Sequence, residues 1–157
     1  MSVRTDYFLR PLCESDLGLL LEIELDPENK RFSTLAENPD AAQLSEFLHS
    51  DHNLKKYAQL RQVIDSESGP VGFIDLYDAD FKNKTAGVGI IIRKTARRKG
   101  AGISALRMVA SQAAVWGVKI LTAEVETTNV ESIQLFQKAG FALVDRTENV
   151  SILELKA

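Results

Sequence analysis

The chain has 157 residues, 45% apolar and 26% charged, with a net charge of −3 at pH 7. That is the size and composition of a single soluble globular domain over residues 1–157, with a core of its own. No apolar run is long enough for a membrane helix, and MSVRTDYFLR lacks a signal-peptide core.

One cysteine, Cys13, excludes an internal disulfide framework and suits a reducing cytoplasm. With only His49 and His52 beside it, a transition-metal site is not expected. The charge is unevenly spread. Residues 93–99, RKTARRK, hold five cations, so the rest carries 14 positive against 22 negative side chains, or −8. Such a distribution points to a local anion site on a body that attracts cations. It argues against nucleic-acid binding, which wants a broad basic face.

In chain order, FLRPL reads as a short strand. Leu17, Leu20, Leu21 and Leu25 then fall at helical spacing behind Ser15 and Asp16. In NPDAAQLSEFL, Asn38 is a predicted N-cap and Pro39 the first helical residue, with Leu44, Phe47 and Leu48 on one face. Residues 57–64 and 71–78 read as a hairpin around DSESGP, and TAGVGIIIR, 85–93, as a further strand. Ile103, Leu106, Val109, Ala110 and Ala113 form a helical stripe that ends near Gly117. KILTAEVE, 119–126, is a strand. A helix over 130–139 follows behind Asn129 as N-cap, closed by Gly140 with Phe141 in the position of a Schellman contact. FALVDR and VSILELK finish the chain as strands around TEN, and the apolar VSILEL is a candidate edge for pairing with a second copy. The order β-α-α-β-β-β-α-β-α-β-β predicts a mixed sheet with helices on its faces.

The stretch RRKGAG carries the chemistry. A strand that feeds a glycine turn into a helix N-terminus presents unpaired N–H groups and the positive end of the helix dipole. Gly100 and Gly102 would let backbone approach a pyrophosphate closely, and Arg97, Arg98 and Lys99 would add charge-assisted contacts. On these residues alone a plain solvated turn fits equally well. The phosphate-binding Walker pattern is absent, and the dinucleotide fingerprint lacks its third glycine.

IIIRKTARRKGAG, followed some thirty residues later by NVESIQLFQKAGF, resembles the GNAT superfamily of acetyl-CoA-dependent N-acetyltransferases. LRPLCESDLGLLLEIELDPEN is similar to the branch that contains ribosomal-protein N-terminal and spermidine acetyltransferases. The resemblance implies a mostly antiparallel sheet of six or seven strands with helices on both faces. It also implies acetyl-CoA as cofactor and an amine-bearing substrate, small molecule or protein N-terminus; no metal is expected from the few histidines and cysteines, and the VSILEL edge leaves a homodimer open. Ile90, Ile91 and Ile92 would then offer strand backbone to the pantetheine arm. Arg97, Arg98, Lys99, Gly100, Ala101, Gly102 and Ile103 would surround the pyrophosphate, and Asn129 would lie beside the thioester.

Transfer to an amine needs the amine neutral, and a lysine-like amine has a pKa of about 10.4. Glu124, five residues before Asn129, is the candidate base by that resemblance. Alternation puts Glu126 on its strand face, where two carboxylates attract a cationic amine. Tyr77 and Asp75 share a face of another strand and form a candidate substrate wall. Two positions depart from the family. Its tyrosine acid is Phe136 here, and an acidic residue common near position 87 is Gly87. Tyr77, Ser132 or ordered water is left to supply the proton. Cys13 is expected to pack near the first helix, Trp116 in the core, and the histidines in solvent. Asp26 to Asn53 is expected to shape the acceptor side.

Overall fold

Residues 6–26, 54 and 58–157 are described by the structure, a computed structural model. The predicted helix behind Asn38, most of the segment from Asp26 to Asn53, and both histidines lie outside those residues.

Seven strands form one sheet in the order β1-β2-β3-β4-β5-β7-β6. They are β1 (Tyr7–Pro11), β2 (Leu60–Ser66), β3 (Gly72–Asp80), β4 (Thr85–Ile92), β5 (Ile120–Glu126), β6 (Ala142–Arg146) and β7 (Val150–Lys156). Every neighbouring pair is antiparallel except β4 and β5. Three α-helices appear among the described residues: α1 (Leu17–Glu24), α2 (Ala101–Val115) and α3 (Val130–Lys138). The mixed, mostly antiparallel sheet expected from the sequence is therefore present, and strand bounds moved by one to three residues at most.

Alternation along the strands sorts side chains onto two faces. Ile74 and Leu76 of β3, Val88 of β4, Leu121 and Ala123 of β5 and Leu153 of β7 face α2 and α3 in the larger core. Buried Ala105 and Ala113 keep α2 slim where it joins that core. At the end of α3, Gly140 takes φ +104, and the Phe141 amide donates to the Phe136 carbonyl at 3.0 Å. The rings of Phe136 and Phe141 meet edge to face at 5.1 Å. This is the helix stop that the sequence predicts.

The other face carries a smaller core of Leu19, Leu20 and Ile23 from α1 against Val63 and Phe73. Leu25, which the helical spacing included, is exposed. It caps the C-terminus of α1, where the helix turns away from the sheet. Glu24 lies in its place on the buried side, and that reversal needs compensation. Arg61 supplies it: Nη1 donates to Glu24 at 2.8 Å, while Nε and Nη2 grip both Asp75 oxygens at 2.6 and 2.7 Å. The guanidinium also lies 5.3 Å over the Phe73 ring. Burial pushes its pKa down, but the charges and hydrogen bonds of Asp75 and Glu24 outweigh that and hold it above the ordinary arginine value. A second knot, Arg10 with buried Asp16 and with Asp65, ties the start of α1 to β1 and β2.

Two expectations change. Cys13 is exposed rather than packed, its sulfur 3.0 Å from Ser15 Oγ, because its amide is needed by Asp16 to open the helical turn. VSILEL does not form an edge. As β7 it lies between β5 and β6, and the edge strand at that end of the sheet is β6, with Leu143 and Val144 about half accessible. Trp116 packs against the larger core, as expected, while remaining partly exposed.

Arg61→Ala is expected to lose about 3–5 kcal/mol of stability, because two carboxylates would keep their burial and lose their cation. Urea unfolding monitored by circular dichroism measures it, and Arg61→Met should behave similarly because it too removes the charge.

Candidate active site

The parallel contact between β4 and β5 covers three residue pairs, Thr85 with Ile120, Ala86 with Leu121 and Gly87 with Thr122. Beyond Gly87 the strands part. β4 continues to Ile92 paired only with β3, and β5 continues to Glu126 paired only with β7. The opening therefore runs five residues along β4, about 17 Å at the rise of a strand. Its wall is backbone. The Arg93 amide donates to the Val71 carbonyl at 2.8 Å, on the β3 side. Alternation then turns the N–H and C=O of Ile92 and Ile90 toward the opening. Ile92's carbonyl already accepts from Arg97 Nε at 2.9 Å. Ile91 differs: its backbone faces β3, in register with Phe73, and its side chain packs with the α1 core. Two of the three isoleucines thus reach the opening with their backbone.

At the mouth, the chain turns once over Lys94–Ala96, extends at Arg97, and takes positive φ at Arg98 (+63) and Gly100 (+89) before α2 begins at Ala101. Gly100 is there for conformation, since a Cβ on it would meet nothing within 4 Å. Gly102 has a different reason. A Cβ there would come 2.8 Å from Leu135 Cδ2, so the glycine lets α3 close onto the first turn of α2. The amides of Ala101, Gly102 and Ile103 open that turn, and Ser104 is the first to bond back, to Gly100 at 3.1 Å. Lys99's carbonyl takes the Tyr7 hydroxyl at 3.2 Å. Arg98 pairs with Glu131 of α3, both exposed, and the Arg98 hydrogen bond lowers the Glu131 carboxyl.

Asn129 caps α3: its Oδ1 accepts from the Ser132 amide at 3.2 Å, and its own amide donates to Glu126 at 2.8 Å. Phe136 is buried within the core, so the proton-donating tyrosine of the resemblance has no counterpart there. At the inner end of the opening, on the α1 side of the sheet, Glu124 is exposed and makes no hydrogen bond or ion pair among the described residues. Tyr77 lies beside it. Burial pushes its phenol up, and the charges of Glu124, Asp78 and Asp75 push it further. Asp75, expected beside Tyr77 as substrate wall, is instead held by Arg61. Glu126 follows Glu124 on the same face. A bulge just past Tyr77, with Asp78 at φ +50, re-aims the chain next to this cluster.

Sequence reasoning missed Arg61, Glu131 and the place of Tyr77. A charged residue inside the apolar run LRQVI was the available sign for Arg61; nothing local marks the others.

A sheet parted at its middle, with a cationic helix start at the mouth and the exposed carboxylate of Glu124 at the inner end, is an arrangement that can take an extended phosphate-bearing ligand across a sheet and set its end beside a carboxylate. The residues fit the cofactor expected from the sequence: open space stands before Gly100, and unpaired backbone lines the way inward. The chain belongs to the GNAT acetyltransferases: the family model described as "Acetyltransferase (GNAT) domain" matches residues 7–142. Among solved structures, spermidine N-acetyltransferase from Vibrio cholerae in complex with CoA and spermine is similar at 16% identity and TM-score 0.80, covering 96% of this chain and 95% of that one. A domain from Methanocaldococcus jannaschii is similar at 21% identity and TM-score 0.77, covering 98% and 99%. A dodecameric spermidine N-acetyltransferase from Vibrio cholerae is similar at 17% identity and TM-score 0.75, covering 96% and 93%. At these identities the likeness is one of fold. No curated protein sequence matches the chain.

Gly102→Leu is expected to cost about 1–3 kcal/mol by prising α3 from α2. Leu135→Ala in the same chain should recover most of it, and thermal melts of the two single variants and the double variant measure the coupling.

Proposed function

We propose that this chain moves an acetyl group from acetyl-CoA to a primary amine by direct transfer within a ternary complex. One observation carries the reading: a single opening joins the cationic helix start to the free carboxylate of Glu124 along unpaired β4 backbone. Acetyl-CoA supplies an acetyl group already activated as a thioester. Arg97, Arg98 and Lys99, with the amides of Ala101, Gly102 and Ile103, hold its phosphates. The backbone of Ile90 and the N–H of Ile92 would take the pantetheine arm by strand-like hydrogen bonds, which leaves the thioester to the inner end of the opening.

Glu124 takes the proton from the amine, and Glu126 and Asp78 help draw the cation in. Asn129 contributes by fixing the start of α3 beside the opening. The acidic face favours an amine with more than one positive charge, so a polyamine is the substrate class proposed, in line with the spermine bound by the similar Vibrio cholerae structure. Self-association is proposed as well, through β6, the edge strand next to β7.

A second reading, a CoA-binding sensor without turnover, is favoured by buried Phe136 and by glycine at position 87. Turnover separates the two. Thiol release from acetyl-CoA in the presence of spermidine supports transfer, and tight binding without release on any amine supports the sensor.

Isothermal titration with acetyl-CoA is expected to give micromolar affinity, weakened when CoA lacks its 3′-phosphate. Gly100→Asp should abolish binding, whereas Gly100→Ala, which bears the backbone strain without the charge, should lose far less. Equal loss in both would place the effect in the turn and not in the phosphate site. Glu124→Gln should lower kcat by about 10²-fold with little change in cofactor affinity. Its pH–rate profile should lose the acid limb, and an unchanged profile excludes Glu124 as the base.

A further inference from the structure

Gly87 has a neighbour where its side chain would be. Tyr77 stands directly across from it in the β3–β4 register, and the tyrosine ring lies over the glycine. A Cβ on Gly87 would come within 2.4 Å of Tyr77 Cε2 and 2.5 Å of Cζ, and one on Gly89 would touch Cε1 at 3.8 Å. The ring therefore rests on a bed of two glycines, its hydroxyl end above Gly87. That residue is also the last of β4 to pair with β5, so the phenol sits at the apex of the opening. Its flanking groups are Glu124 from β5, Asp78 and Asp75 from its own strand, and Arg61 from β2, which holds Asp75.

A tyrosine hydroxyl this close to buried structure ordinarily finds a partner. Here it has none among the described residues. We propose that the Tyr77 hydroxyl is the proton donor of the site, contacting the sulfur of CoA at the apex and made possible by the missing side chain at Gly87. This rests on the acetyltransferase reading and supplies the acid that Phe136 cannot. The balance is simple. The amine nitrogen bonds to the acetyl carbon as the carbon–sulfur bond breaks. The ammonium first gives one proton through Glu124 to solvent and becomes neutral. After its nitrogen has bonded to the acetyl carbon it gives a second proton to Glu124, the departing sulfur receives one from Tyr77, and the proton on Glu124 restores the phenol. Burial first, and then the charges of Glu124, Asp78 and Asp75, push the phenol up, so it stays protonated at neutral pH, the state a donor needs.

Tyr77→Phe keeps the ring on its glycine bed and removes only the hydroxyl, while Gly87→Ala must displace the ring. Both should lower kcat by about 10²-fold with the KM for acetyl-CoA unchanged. A binding measurement stands apart from turnover. Wild type should bind CoA about fivefold more tightly than desulfo-CoA, and Tyr77→Phe should bind the two equally. Wild-type kcat in Tyr77→Phe, or no preference for CoA in the wild type, would overturn the assignment and leave Tyr77 as packing. If the wild type releases no thiol on any amine yet prefers CoA in a way Tyr77→Phe abolishes, the hydroxyl–sulfur contact stands and the transferase reading falls.

Discussion

Parallel pairing between β4 and β5 is kept for only three residues, and much of the molecule is arranged around where it stops. Strand backbone left without a partner is a liability in most sheets, since it invites pairing with another chain. Here the unpaired stretch lies inside the sheet, between β3–β4 on one side and β5–β7 on the other. It is open to a slender ligand and closed to a second strand approaching edge-on. The two halves cannot drift together because α2 and α3 pack across the same face, with Leu106 and Val109 of one helix and Phe136 of the other in a core shared with both halves.

The two faces divide the work. Below the sheet, α2 and α3 provide apolar mass and the cationic helix start. Above it, α1 is fastened by ions: Glu24 and Asp75 on Arg61, Asp16 and Asp65 on Arg10. Fastening by buried charge is costly in desolvation, and it holds only because each guanidinium satisfies more than one carboxylate. A consequence follows for the site. With Asp75 paired to Arg61, the exposed carboxylates at the apex are those of Glu124 and Asp78.

Glycines in this chain answer to unrelated demands that look alike in one dimension. Gly100 is required by a left-handed turn, Gly102 by the closeness of Leu135, and Gly87 by a tyrosine ring from the neighbouring strand. RRKGAG invites a single explanation for its two glycines, and geometry gives two.

Periodicity and turn chemistry by themselves determined the strands, the stripe of α2, the cap at Asn129 and the stop at Gly140, because each depends on residues within a few positions of one another. The cationic loop was legible for the same reason. Edge and interior were not: VSILEL ends the chain and could lie at a sheet edge, yet β7 is inserted between β5 and β6, where its pairs with β5 run from Glu126 with Val150 to Ile120 with Lys156, far apart in sequence. Leu25 and Glu24 exchange their expected sides because Arg61, thirty-seven residues away, rewards burial of the carboxylate. Tyr77 over Gly87 arises only when β3 and β4 are in register. Local patterns record what a residue can do with its neighbours in sequence; burial, ion pairing and the approach of a ring to a glycine depend on partners that only the folded sheet brings within reach.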